Sequence, residues 1–231
     1  MKRLIITPMR EELDFLLQGC TKAGFQAESG IIGRLPVVRL PDLGVTLARG
    51  GLGKVQFAVQ TQHLLDTCSY WDLIVCAGAA GALVDEVSVG DAVVATTTVE
   101  HDYNNKFNER ALPKFDGAGA AVADLKSVSH STDTFSVHFG PIASGDEDVV
   151  ETERKRMLHE STGALAVAWE GAGGAKACVF SGFPFVEIRG VTDTADRNAA
   201  SDFEKNLEVA MSNLATLIIS WTSHVEQKEV G

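Results

Sequence analysis

The segment DLIVCAGAAGAL, Asp72–Leu83, decides the fold. It opens as an apolar run with no polar residue alternating into it, the pattern of a strand covered on both faces by helices. It then passes into Ala and Gly. Small residues at the carboxyl end of such a strand leave room for a ligand in the crevice there. The full G-x-G-x-x-G of a dinucleotide loop is missing, and close packing of the segment accounts for the same residues equally well.

Working outward, apolar β-branched runs recur on both sides. RLIIT (3–7), GVTLAR (44–49), DAVVATTTV (91–99), HFGPIASG (138–145), LAVAW (165–169) and FVEIRGV (185–191) read as further strands. Glu11–Ala23, Val55–Thr67, Val149–Glu160, Gly171–Ser181 and Asp202–Val225 read as helices. Ser201 is the expected N-cap of the last, with Glu204 three residues on completing a capping box. The alternation predicts an α/β sandwich around a mostly parallel or mixed sheet. Asn104–Thr134 is the least regular stretch: a lid, a subunit contact, or a solvent loop with one short helix.

The 231 residues suffice for one sizeable core, and a single domain over 1–231 is expected. No apolar run approaches the ~20 residues that span a bilayer. The start, MKRLIITPMREELDF, turns acidic at once and lacks a small-residue cleavage site, so it reads as a first strand and the chain as cytoplasmic. A net charge of −11 argues against a nucleic-acid partner. The densest basic cluster, Arg154–Lys155–Arg156, is flanked by Glu151, Glu153 and Glu160 and reads as a solvated helix face. Cys20, Cys68, Cys76 and Cys178 lie far apart with no CxxC pair, which predicts free, largely buried thiols and no structural metal.

Several acids and one arginine stand where chemistry could be placed. Glu170, in AVAWEGAGGAKA (166–177), falls where a strand hands over to a helix. It either favours the helix N-terminus or accepts hydrogen bonds from the hydroxyls of a sugar. Arg189 and Asp193, in VEIRGVTDTAD (186–196), lie on or just beyond a buried strand, where charge is costly unless paired. They pair with each other, or the acid faces a ligand. Glu11 and Glu12 begin the first helix, where acids suit the dipole. Gly50, Gly51 and Gly53, in ARGGLGKVQFAVQ, form a strand–helix turn that lacks the Walker A pattern.

Taken in order from Leu4 to about Trp221, these segments resemble the nucleoside phosphorylase/nucleosidase superfamily, above all its methylthioadenosine/S-adenosylhomocysteine nucleosidase branch. The resemblance implies a three-layer α/β sandwich around a central mixed sheet partly closed into a barrel, a homodimer, a small-molecule nucleoside substrate and no cofactor. MREEL is similar to the opening segment of that family, which implies Glu12 as the carboxylate that activates water. WEGA is similar to its MEA or MEGA turn, which implies Glu170 as the holder of the ribose hydroxyls. RGVTDTAD is similar to its R-x-x-S/T-D-x-x-D strand end, which implies Asp193 as the acid at the purine N7 and Arg189 as the cation near the water and Glu12. GGLGKV and AGAAGAL, with Ala79 and Gly81, resemble the loops around the ribose. EHD (100–102) resembles the segment before the subunit-contact loop of the family.

The chemistry explains these types. Protonating N7 turns a purine anion into a neutral leaving group, and a positioned general acid is worth about 10²–10⁴ in rate. For Asp193 to serve at neutral pH its pKa must be raised or its proton shared with the base, and burial would do this. A carboxylate such as Glu170 stabilises the developing oxocarbenium ion, and Arg189 relieves the repulsion among three acids. The resemblance departs at SGDEDVV, where Asp148 and Val149 stand near the expected base-stacking aromatic. It departs again at Trp169, where methionine is usual, and at Ala168, which replaces an acid. These departures leave the base and the 5′ group open; related family members cleave futalosine. Phosphorolysis and binding without turnover are the alternatives. The first is disfavoured because ITPMREE puts acids where an anion-binding turn would lie.

Overall fold

The computed structural model describes residues 1–107, 110–128 and 134–230. Along the chain run β1 (Arg3–Thr7), α1 (Arg10–Lys22), β2 (Glu28–Ile32), β3 (Leu35–Leu40), β4 (Val45–Arg49), α2 (Gly53–Thr67), β5 (Leu73–Ala82) and β6 (Ala92–Glu100). They are followed by β7 (Lys114–Asp116), α3 (Gly119–Val128), β8 (Val137–Ser144), α4 (Thr152–Thr162), β9 (Ala166–Ala168), α5 (Gly171–Ser181), β10 (Phe185–Asp193) and α6 (Ala199–Val230).

Five strands close on themselves. β5 pairs with β10 in parallel and with β9 antiparallel. β9 and β8, then β8 and β6, pair in parallel, and β6 returns antiparallel to β10. This is the expected barrel. From β5 the sheet continues as a wing through β1, β4, β3 and β2. Helices cover both faces, which makes three layers. Leu16 and Cys20 of α1, Leu125 of α3, and Leu214 and Trp221 of α6 fill one core. Phe57 and Leu64 of α2 and Ala175 and Cys178 of α5 fill the other. All nine residues of β10 are buried, as a strand walled on both faces requires.

Four features differ from the sequence expectation. Strand β5 runs on through CAGAAGA, so Ala79 and Gly81 lie within a strand that bends into the barrel. Residues 149–151 stay outside the helix: Val149 is buried in a satellite core beside Leu158 and Ala195, and α4 starts only at Thr152. Helix α6 begins at Ala199 rather than after Ser201: the Ser201 hydroxyl donates back to Asn198 O at 2.8 Å, and Asp196 Oδ1 accepts the Asn198 N–H at 2.7 Å. The stretch Asn104–Thr134 is partly built into the core: β7 pairs with β6, and Ala121, Val122, Leu125 and Val128 of α3 are buried. Residues 108–109 and 129–133 of that stretch lie outside the described residues.

The hairpin of β2 and β3 has no counterpart in the apolar pattern, since only Ile32, Val37 and Leu40 of its strands are buried. It is anchored at its turn, where the Arg34 N–H donates to His63 Nε2 of α2 at 2.9 Å. The four cysteines are free, three of them buried, as expected. Among the described residues no helix is long and apolar enough to cross a membrane, and no group of His, Cys, Asp and Glu is arranged to hold a metal ion.

Candidate active site

Glu12 is the third residue of α1, and its side chain folds back over the helix start. Its Oε2 accepts the Met9 N–H at 2.7 Å, half of a capping box. Its Oε1 instead crosses to β5 and accepts the Ala79 N–H at 2.8 Å. The carboxyl is buried, and burial, with Glu170 nearby, pushes its pKa up to about 7 against the pull of the two N–H groups and Arg189.

Arg189 is fully enclosed on β10. Its Nε donates to Glu187 Oε1 at 2.8 Å, and both terminal nitrogens lie 3.4 Å from Glu170 Oε2. Nη1 also reaches Ala79 O and Nη2 the Cys76 sulfur, each at 3.3 Å. Glu187 is fixed in turn by the Thr98 hydroxyl at 2.6 Å. The guanidinium therefore has partners on every nitrogen, and none of the bonds is to Asp193.

Glu170 sits at the N-cap of α5, buried, with Oε1 accepting the Gly53 N–H at 3.2 Å. That bond gives the GGLGKV turn its place beside the acid. Burial raises the pKa of Glu170, while Arg189 and the Gly53 N–H oppose it. The preceding carbonyl, that of Trp169, accepts from Ser144 Oγ at 2.7 Å, and the same hydroxyl takes the Ala172 N–H at 2.9 Å. The Trp169 indole N–H donates to Glu147 O at 3.0 Å and so ties this turn to the Glu147–Val149 segment.

Asp193 ends β10. The pairing with β5 slips between Val191 and Asp193, and this bulge sets Asp193 opposite Gly81. A bulge re-aims the side chain beyond it. Oδ2 accepts the Thr192 hydroxyl and Oδ1 the Ala195 N–H, both at 2.9 Å. Burial raises the pKa of Asp193 against those two bonds. The small residues of β5 follow from this crowding. A Cβ on Gly81 would lie 2.7 Å from Asp193 Oδ1, and one on Gly78 would lie 2.8 Å from both Arg189 Nη1 and Glu12 Oε1.

Glu12, Glu170, Arg189 and Asp193 line one cavity of about 460 Å³, and Trp169, Ala79, Gly81, Asp148 and Val149 line it with them. A volume of this order suits a ligand of nucleoside size. Pro8, Met9, Leu52 and Phe203 complete the apolar wall, and Glu204, expected in a capping box, lines it too. Thr192 lines the cavity as well, while Glu187 and Ser144 stand behind the lining; none of the three is marked out by the sequence motifs. A second buried acid two positions before Arg189 on a buried strand was the available signal.

Behind the GGLGKV turn lies a linked set of charges. Lys54 contacts Asp102 and, at 3.0 Å, Glu100, which Lys176 also reaches. Asp146 accepts the Lys54 N–H at 2.8 Å and donates its own N–H to Asp102 at 3.0 Å. EHD and Asp146 thus brace the turn. The basic cluster on α4 is solvated only in part. Arg156 pairs with Glu153 and Glu160 on the surface, whereas Arg154 makes two 2.6 Å bonds to Glu147, and Lys155 reaches inward to Thr194 O at 3.0 Å.

The profile of the phosphorylase superfamily matches residues 2–221. A 5′-methylthioadenosine/S-adenosylhomocysteine nucleosidase of an Exiguobacterium species is 30% identical, over 98% of this chain and 100% of its own length. The Helicobacter pylori nucleosidase of that name, crystallised with 5′-methylthioadenosine in its active site, superposes with a TM-score of 0.84 at 26% identity, covering 98% of both chains. The futalosine hydrolase of the same species gives 0.85 at 26% identity, over 96% of this chain and 97% of the other. With the closed barrel and the walled strand that carries Arg189 and Asp193, these likenesses establish that the chain belongs to the phosphorylase superfamily.

Proposed function

We propose that the cavity hydrolyses the N-glycosidic bond of a purine nucleoside, releasing the base and the ribose moiety. The observation that carries this is the convergence of Glu12, Glu170, Asp193 and Arg189 on one cavity. Asp193, its pKa raised by burial, gives a proton to the purine N7 as the glycosidic bond breaks. Glu170 binds the ribose hydroxyls and faces the cationic sugar as it forms. Glu12, with a pKa near 7, takes a proton from the water that attacks across the ring from the base. Arg189 holds Glu170 and offsets the crowding of acids. Trp169, Ala79, Gly81, Asp148 and Val149 bound the base and sugar.

Water is the acceptor on electrostatic grounds. Every nitrogen of Arg189 is engaged by protein atoms, and the nearest other charges in the wall are carboxylates, which repel phosphate. Nucleosides of the methylthioadenosine, S-adenosylhomocysteine and futalosine types are the substrates to try first, because the relatives carry those names. Residues 1–231 act as one domain. Four unpaired cysteines suit a reducing, cytoplasmic setting. A homodimer forms through the outer faces of α2 and α5, which expose Val55, Val59, Val179 and Phe180.

The test is a panel of purine nucleosides incubated with and without phosphate, the liberated base identified by mass. Base release independent of phosphate is the expected result. Strict dependence on phosphate would make the enzyme a phosphorylase, and tight binding with no release would make it a binding protein.

A further inference from the structure

We propose that Lys155 is a positioning residue for Asp193: by clamping the peptide between Thr194 and Ala195 it holds the acid of the cavity in its proton-donating pose. This rests on the role given above to Asp193.

Asp193 Oδ1 accepts the Ala195 N–H at 2.9 Å, and Lys155 Nζ donates to the Thr194 carbonyl at 3.0 Å. Those two groups belong to one peptide plane. A trans peptide is rigid, and its C=O and N–H point in opposite directions. The plane is therefore gripped at both ends, by the ammonium on one side and by the carboxyl of Asp193 on the other. Turning it over would break both bonds at once.

The plane needs a grip. Ala195 has φ of +49°, and among the described residues it is the one non-glycine with a positive φ. An alanine there is strained and persists only where its surroundings over-determine it. Burial of Ala195 against Leu83, Val149 and Leu158 supplies part of that constraint. The Thr194 hydroxyl adds a 2.9 Å bond to Asp196. Neither of these touches the carbonyl whose direction decides where the Ala195 N–H points. Lys155 does.

Lys155 is placed for this by its helix. Leu158, three residues on and so on the same face of α4, is buried beneath the Asp193 segment. The Lys155 side chain is only 16% exposed, whereas Asp85, the carboxylate 4.0 Å from its ammonium, is fully exposed and contributes little. Lys155 also differs from Arg154 and Arg156, whose guanidinium groups are taken up by glutamates.

The experiment compares Lys155→Met, Lys155→Arg and Asp193→Asn with the unaltered chain, using the nucleoside that the panel selects. For Lys155→Met, kcat should fall about tenfold, a loss typical of a slightly misplaced catalytic group, while KM stays within about twofold, since Lys155 is not in the cavity wall. Lys155→Arg, which keeps a long cationic donor, should recover most of the loss. Melting temperatures are measured on the same samples, with rates read well below each transition. A kcat unchanged in Lys155→Met while Asp193→Asn is inactive would overturn the positioning role and leave Asp193 as the acid. A matching rise in KM, or failure of Arg to rescue, would also overturn it. Full activity in Asp193→Asn would remove both ideas together.

Discussion

Arg189 Nε donates to Glu187 Oε1 over 2.8 Å, with both side chains wholly shut off from solvent and both on β10. Residues two apart on a strand share a face, so the strand's own geometry sets the pair side by side. Glu187 is the partner that allows an arginine to be buried beside the cavity. Removing one member of a buried pair leaves an uncompensated charge, at a cost of about 3–5 kcal/mol. Glu187→Ala should therefore lower the urea midpoint sharply. Glu187→Gln, which keeps a carbonyl for Arg189, should cost less. An unshifted midpoint in Glu187→Ala would mean that Arg189 draws its compensation elsewhere.

Glu12 links activity and stability to pH in opposite senses. Its pKa stands near 7 in the folded chain against 4.5 ordinarily, so the folded state binds the proton more tightly than the unfolded one. The corresponding stability is fully present below pH 4.5 and is lost as pH rises through 7, a change of about 3 kcal/mol. Hydrolysis needs the ionised form, so turnover should climb over the same approach to pH 7. Glu12→Gln should cut turnover by about 10²–10⁴. At pH 8 it should also be more stable than the parent by about 1–3 kcal/mol, less whatever is lost at the N–H that an amide nitrogen cannot satisfy. Melts at pH 4.5 and 8, with a pH–rate profile, test both halves; a variant that loses stability equally at both pH values would contradict the linkage.

The barrel itself was only partly legible in the residues. Apolar runs such as LIVCAG and FVEIRGV mark buried strands, but no periodicity reveals that β5 pairs with both β9 and β10 to close a ring. The ring arrived through resemblance. Glu170, Arg189 and Asp193 were legible because charge on a buried strand or at its end demands a partner. The identity of that partner was not: Arg189 pairs with Glu187 and Glu170 rather than Asp193. Ser201 misled because Ser-x-x-Glu is the same string whether it precedes a helix or lies in its first turn. The hairpin Glu28–Leu40 escaped because strands that bury only Ile32, Val37 and Leu40 carry little apolar alternation.

Gly81 faces Asp193 across the β5–β10 ladder, and the space between them holds no methyl group. A Cβ there would sit 2.7 Å from Asp193 Oδ1 and 3.2 Å from the Ala195 Cβ. Neither neighbour can yield cheaply, since the carboxyl is hydrogen-bonded twice and Ala195 is buried. Gly81→Ala should therefore displace the acid and lower kcat by about 10²-fold, the scale of an ångström-size misplacement. Gly119→Ala, where the added carbon meets nothing within 4 Å, is the control and should be silent. Equal rates in the two variants would show that Asp193 tolerates movement.

The outer faces of α2 and α5 present Val55, Val59, Val179 and Phe180 at 64–83% exposure. Val55 and Val59 stand one helical turn apart and so form a stripe, and α2 lies directly against α5. Leu52, just before α2, is 54% exposed and also lines the cavity, so whatever covers this face reaches the cavity mouth as well. An apolar surface of this kind around a phenylalanine has the make-up of a subunit contact. Phe180→Asp and Val59→Asp should each remove about 2 kcal/mol or more of association energy, and combined at micromolar concentration should turn the proposed dimer into monomer by sedimentation. The monomer should also show a raised KM, because the Leu52 side of the cavity then opens to water. A parent chain that sediments as a monomer at tens of micromolar would refute the dimer, and the exposed stripe would need another partner.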